Sequence, residues 1–186
     1  MSQNNAPART VAADAKASGL VDVSSLILLA VLLAAGLILN LTVGNMLAMT
    51  GIKPQFIITA YALAILLTRA GFVQAGIFGL VSAAVITAGG SSVPGLNFLT
   101  ELAGALVAAA FARADLKVAD KSVTPLVATL AATLVSGTLF ALVGTVMAGF
   151  APAAALVKAP VVLGTTVFNA VIAQALFFPL RRALNK

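Results

Sequence analysis

Long apolar runs, separated by short polar or Gly/Pro-containing stretches, make up most of this chain. The runs cover residues 24–43, 54–69, 71–88, 96–113, 123–149 and 158–180. A helix needs about 20 mainly apolar residues, with a range of roughly 17–25, to cross the hydrocarbon core of a bilayer. The pattern therefore predicts an all-α membrane protein, built as a bundle of six transmembrane helices.

The polar ends of the chain complete the predicted domain organisation. Residues 1–23 form a polar N-terminal tail, residues 24–182 the six-helix transmembrane domain, and residues 183–186 a short C-terminus. The first apolar run is longer than the roughly 7–15 residues of a signal-peptide core, and five further runs follow it. We therefore expect it to be a transmembrane helix. We also expect Pro179 to end the last helix, because proline cannot donate a backbone hydrogen bond.

The basic residues are distributed unevenly between the two ends of the predicted bundle. With the N-terminus inside, only Lys53 and Lys158 lie outside. The cytoplasmic side then carries Arg9, Lys16, Arg69, Arg113, Lys117, Lys121, Arg181, Arg182 and Lys186. An excess of Lys and Arg marks the cytoplasmic loops of membrane proteins. Both termini are therefore predicted to be cytoplasmic.

Composition supports a membrane protein and argues against an enzyme. The chain is 61% hydrophobic and 9% charged, against about 25% charged residues in a soluble domain. It contains no Cys and no His, which removes the thiolate nucleophile and the commonest general base and metal ligand. Gly89-Gly90 lacks the Gly-Lys-Ser or Gly-Lys-Thr of a phosphate-binding loop. We expect no catalysis, cofactor or metal, and no nucleic-acid partner, since loop charges explain the net charge of +6.

Glu101 is the only acidic residue inside the apolar runs. The other four acids, Asp14, Asp22, Asp115 and Asp120, lie in polar segments. A carboxylate at the centre of a bilayer costs roughly 2.5–3.5 kcal/mol on insertion scales, so an ionisable group at that depth is by default a candidate functional residue. The alternatives are a carboxylate that just reaches interfacial water, or a structural ion pair with one of the outer lysines.

Helical spacing places further polar residues on shared faces. Asn97 lies four residues before Glu101. On the last helix, Thr165 and Asn169 lie 7 and 11 residues after Lys158, which places all three on one face. A carboxylate and an ammonium beside one cavity complement a zwitterion, or a solute with separated donor and acceptor groups. The sequence therefore predicts an outward-facing binding site for a small solute.

The outer connection Gly51-Ile-Lys-Pro54 adds Lys53 to this candidate site. Each polar residue also has a structural explanation that the sequence leaves open. Lys158 suits a snorkelling anchor at the outer interface, and Asn169 suits a polar bond between helices.

Several of these features together resemble the substrate-binding S component of an energy-coupling factor (ECF) transporter. They are the chain length, the six helices with both ends inside, and the small-residue spacing of Ala30 and Ala34 on the first helix. Gly51-Ile-Lys-Pro54 and the Gly-Gly-x-x-x-Pro loop at 89–94 are similar to the tryptophan-transporter-like branch.

The resemblance implies a mechanism and partners. The subunit would bind an aromatic amino acid such as tryptophan, or a vitamin or its precursor, near the outer leaflet. It would then dock through Ala30 and Ala34 onto a transmembrane coupling protein, and two cytoplasmic ATPases would drive release.

Two other classes of function compete with this interpretation. One is a self-assembling channel, for which a repeated polar or small-residue stripe is expected; only the helix with Thr129, Thr133, Phe140 and Gly144 carries such a stripe. Close packing of helices explains that stripe equally well. The other is an ATP-independent carrier that acts alone or as a dimer.

Overall fold

The computed structural model describes residues 22–50 and 53–184, apart from the side chain at position 94. Residues 1–21 of the predicted N-terminal tail lie outside the described residues, as do Gly51, Ile52 and the last two residues, whereas Val23, the last residue of the predicted tail, already belongs to the first helix. Helices account for almost all of the described chain, which confirms the helical fold class. They are α1 (Val23–Leu39), α2 (Asn45–Ala48), α3 (Phe56–Thr68), α4 (Phe72–Ala88), α5 (Pro94–Phe111), α6 (Thr124–Met147) and α7 (Ala159–Ala183).

Two irregular helical segments join these elements. A π-helical segment, Asn40–Gly44, connects α1 to α2, and a 3₁₀-helix, Pro152–Lys158, leads into α7. Proline occupies the first turn of α5, α6, α7 and the 3₁₀-helix, where its missing N–H has no intrahelical partner to lose. The pattern of prolines therefore sets several of the helix starts.

The helix α3 lies at the centre of the bundle. Every residue from Phe56 to Leu67 is buried. Helix α3 contacts α1, α4, α5, α6 and α7, while α4 packs along α5, α5 along α6, and α6 along α7. The first helix turns one face toward α3, where the Gly36 position allows its backbone to approach Phe56 and Ala60 closely. The remaining helices thus form a wall around one buried helix.

The outer surface of this bundle is largely apolar. Within the described ranges, three helical stretches are long and apolar enough to cross a membrane: Val23–Ala48, Thr124–Met147 and Pro152–Ala183. Shorter apolar helices are Phe56–Thr68, Phe72–Ala88 and Gly95–Phe111. Large side chains such as Ile27, Val31, Ile38, Val167 and Val171 are more than half exposed. Apolar surface on this scale is compatible with a membrane protein.

A small polar hairpin that the sequence did not predict connects α5 to α6. Strands β1 (Lys117–Val118) and β2 (Lys121–Ser122) pair antiparallel, and Ala119 and Asp120 between them have positive φ angles of 48° and 63°. Two such residues form the tight turn whose twist matches paired strands.

Helix α7 differs from the prediction at its C-terminal end. Pro179 lies inside the helix, which continues to Ala183. The prediction that Pro179 ends the helix was wrong. A proline removes its own hydrogen bond to the preceding turn, but later N–H groups still find partners, and Leu184 N donates to Leu180 O at 3.0 Å.

Candidate functional site

The short length of α3 leaves a cavity at one end of the bundle. With 13 residues, α3 spans about 20 Å at 1.5 Å per residue, whereas α6, with 24 residues, spans about 36 Å. The cavity has a volume of about 520 Å³, within the roughly 300–1,000 Å³ of small-molecule sites. Its walls come from the α1–α2 region, the start of α3, the α4–α5 loop, and from α5, α6 and α7.

Five of the six predicted site residues line this one cavity. They are Lys53, Asn97, Glu101, Lys158 and Thr165. They come from the segment before α3, from α5, and from the region where the 3₁₀-helix meets α7. Residues more than a hundred positions apart are thus brought together, and their role in binding stays a prediction.

Asn169, the sixth predicted residue, does not line the cavity. It is fully buried, and its side chain pairs with the backbone of Gln55: Gln55 N donates to Asn169 Oδ1 and Asn169 Nδ2 donates to Gln55 O, both at 3.2 Å. A third, longer contact of 3.4 Å reaches Thr133 Oγ1. Asn169 therefore fixes the start of α3 against α7, which is the interhelical role that the sequence left open.

Thr165 lines the cavity, but like Asn169 it also holds the segment before α3 against α7. Its hydroxyl donates to the carbonyl oxygen of Lys53 at 2.9 Å. Together with Asn169, it ties the chain segment that precedes α3 to helix α7. This segment carries Lys53 and Gln55, so α7 determines where both side chains meet the cavity.

Glu101 is the buried ionisable group of the site. Its side chain is only 4% exposed and lies on α5, one turn after Asn97. The hydroxyl groups of Tyr61 on α3 and Ser136 on α6 lie beside its carboxyl group. Neither Glu101 Oε2 nor Tyr61 Oη completes a hydrogen bond of good geometry with any described residue. Among the described residues, one carboxyl oxygen of Glu101 therefore accepts no hydrogen bond of good geometry, although two hydroxyl groups lie nearby.

A glycine on α5 makes room for the tyrosine beside Glu101. A Cβ atom placed on Gly104 would collide with the Tyr61 hydroxyl, and would lie 3.3 Å from both Ala132 O and Ser136 Cβ. Three helices therefore meet at Gly104 with no space for a methyl group. The close approach holds α3 and α6 against the α5 turn that carries Glu101.

The two lysines lie at the accessible side of the cavity, because both are exposed. Neither forms an ion pair with Glu101; among the described residues, the one ion pair joins Lys117 to Asp115 at 2.8 Å. Lys158 Nζ instead donates to Thr145 Oγ1 at 3.1 Å. The structural ion pair that the sequence left open for Glu101 is therefore absent.

Two further polar side chains of the cavity wall were not predicted. Asn40, in the π-helical segment, and Gln55, just before α3, each contribute a side-chain oxygen that is buried and has no hydrogen-bond partner in the described structure. Single-turn π-helical insertions are frequent at functional sites. The sequence offered little signal for either residue: Asn40 lies in an irregular turn of helix, and Gln55 is positioned by its backbone bonds to Asn169 on α7.

No family model, curated protein or solved structure is significantly similar to this chain. Its class is therefore defined by the fold and the site alone. In its described part, the protein is a helical bundle with three helices of membrane-spanning length and, at one end, a cavity lined by both polar and apolar side chains.

Proposed function

We propose that this protein spans a bacterial cytoplasmic membrane six times and binds a small solute in the cavity beside Glu101. It serves as the S component of an ECF-type uptake transporter. The observation that carries the proposal is the cavity itself, with a buried carboxyl on its wall and two exposed lysines at its rim. A binding subunit needs such a site and needs no catalytic residues.

The arrangement of the loops supports the proposed topology. The connections after α1, α4 and α6 all contribute to the cavity end, as alternating membrane crossings require. Among the described residues, the basic side chains away from this end are Arg69, Arg113, Lys117, Lys121, Arg181 and Arg182. Under the positive-inside rule the cavity then faces outward, and the termini face the cytoplasm.

The buried central helix favours a binding subunit over a channel within one chain. The residues Phe56–Leu67 fill the middle of the bundle below the cavity. A pore along the bundle axis would require polar or small residues around an open path, whereas α3 is apolar apart from Thr59, Tyr61 and Thr68. The cavity is thus a pocket that receives a solute from one side.

The first helix offers a surface for the coupling protein. Ala30 and Ala34 are both exposed, while Leu29 and Leu33 turn toward the core. Small exposed residues four apart let a partner helix approach closely. The sequence carries no nucleotide-binding motif, so the energy for transport comes from the two ATPases of the ECF module.

Native mass spectrometry of the purified protein tests the proposal without assuming a ligand. The protein, released from detergent after incubation with a mixture of amino acids and vitamins, is expected to carry one small solute in the absence of ATP. Absence of any bound solute would contradict the binding function. Co-purification with proteins that carry Walker motifs would support the ECF assignment, and a homo-oligomer alone would favour an independent carrier.

A further inference from the structure

Three buried side-chain oxygens without hydrogen-bond partners in the described structure belong to residues that line the same cavity. They are Asn40 Oδ1, Gln55 Oε1 and Glu101 Oε2, each buried and each without a hydrogen bond within the described part of the chain. They come from three separate elements: the π-helical segment, the start of α3, and α5. Their convergence on one cavity is a property of the fold and not of one helix.

Unpaired buried acceptors are costly and usually have an explanation. Leaving one buried polar group without a partner costs about 1–3 kcal/mol, and more for a charged group. Most buried polar atoms in folded proteins are satisfied by protein or ordered water, so an exception often marks a functional site. Three exceptions in one cavity indicate a missing partner that supplies donors.

We infer, on the basis of the proposed function, that the solute carries a donor-rich nitrogen group, such as a primary ammonium, that binds at Glu101, Asn40 and Gln55. An ionised carboxylate only accepts hydrogen bonds, whereas the two amides carry both donors and acceptors. Glu101 therefore decides the chemical class. A charge-assisted bond between an ammonium and a carboxylate is about twice as strong as a neutral one.

The lysines determine which way the solute lies. Lys53 and Lys158 line the same cavity but are exposed, while Glu101 is 4% exposed. An anionic group on the solute is therefore attracted to the rim, and the nitrogen group enters first. Ile58 and Phe140 on the wall provide apolar contact for the part in between. The expected class is a compact amine-bearing carboxylate held with its amine end inward.

Matched solutes that lack one group each test this inference on the full-length protein in detergent. One set is L-tryptophan, tryptamine and indole-3-propionate; the other is L-leucine, 3-methylbutylamine and 4-methylpentanoate. Affinities are measured by isothermal titration calorimetry. In at least one set, removal of the amine is expected to weaken binding at least tenfold, and by more than removal of the carboxylate does.

Two outcomes would overturn the inference. If, in every set that binds, the amine-free carboxylate binds as tightly as its amine-bearing counterparts, the amine assignment is wrong, but the binding function remains. If no member of either set binds at millimolar concentration, the amine-bearing class is wrong. The proposed function is then decided separately by the mass-spectrometric experiment, which assumes no solute class.

Variants add a readout that a general loss of stability would not give. Glu101→Gln is expected to lower affinity for the amine-bearing solutes at least tenfold and to leave the weak binding of the carboxylates unchanged. Asn40→Leu is expected to act in the same direction to a smaller extent. Asp115→Asn, at the opposite end of the bundle, serves as a control of the same charge change. An equal loss for both solute classes would overturn the assignment of Glu101 to the amine.

Discussion

The contact between Gly104 and Tyr61 gives the sharpest structural prediction. A methyl group at position 104 would overlap the Tyr61 hydroxyl and press on Ala132 O and Ser136 Cβ at 3.3 Å. Tyr61 is fully buried on the central helix, so its ring can move aside only by displacing its packed neighbours. Overpacking of this kind costs about 1–3 kcal/mol. Gly104→Ala is therefore expected to destabilise the protein by that amount.

A second substitution, combined with Gly104→Ala, is expected to relieve this overpacking. Tyr61→Phe deletes the oxygen that the new methyl group meets, and this hydroxyl has no hydrogen bond of good geometry to lose among the described residues. The double variant should regain more than half of the lost stability, a coupling of about 0.5–3 kcal/mol for residues in contact. The contacts with Ala132 and Ser136 remain, so rescue is expected to be incomplete.

Thermal unfolding in detergent, followed by circular dichroism, measures this coupling. For a chain of this length, 1 kcal/mol corresponds to about 2–4 °C, so Gly104→Ala should lower the melting temperature by about 2–12 °C. Gly95→Ala on the same helix is the control, because a Cβ there has no neighbour within 4 Å. An unchanged melting temperature for Gly104→Ala, or no rescue by Tyr61→Phe, would refute this account of the packing around Glu101.

The remaining predictions concern helix packing, the start of α3, and docking. A Cβ on Gly79 of α4 would lie 2.8 Å from Glu101 O of α5, whereas a Cβ on Gly76 would meet nothing closer than 3.5 Å. In the same melting assay, Gly79→Ala should therefore cost about 1–3 kcal/mol of stability, and Gly76→Ala should be neutral or stabilising. Asn169→Leu leaves the backbone N–H of Gln55 without its partner, while Gln55 O still accepts from Ile58 N, and should cost about 1–3 kcal/mol by denaturant titration; an unchanged midpoint would show that the lost bond is replaced by water. Ala30→Trp combined with Ala34→Trp should leave solute binding intact and abolish uptake into cells; normal uptake would remove this face of α1 from docking.

The helices were predictable from the sequence because apolar runs bounded by prolines and polar loops carry a strong local signal. The shared face of Asn97 and Glu101 was predictable for the same reason, since both lie on one helix. The placement of Lys53 beside this face was an inference from topology, and the structure does bring it to the same cavity.

The roles of Asn169, Tyr61 and Gln55 were not predictable, because each depends on a contact between distant parts of the chain. Asn169 had the spacing of a cavity residue, but its amide is occupied by the backbone of Gln55. Tyr61 lies beside Glu101 only because Gly104 has no side chain, and a glycine in an apolar run gives no signal of the residue that it will meet. The continuation of α7 through Pro179 likewise depends on the hydrogen bonds that the following residues still make.

The central claim is that the carboxyl group of Glu101 holds a small solute in the cavity. The most direct test compares the affinity of the wild-type protein and Glu101→Gln for the solute retained in native mass spectrometry, with melting temperatures measured in parallel. We expect at least a tenfold loss of affinity, about 1.4 kcal/mol, with the fold intact. Equal affinity for the two proteins would contradict the claim and leave Glu101 as a structural residue only.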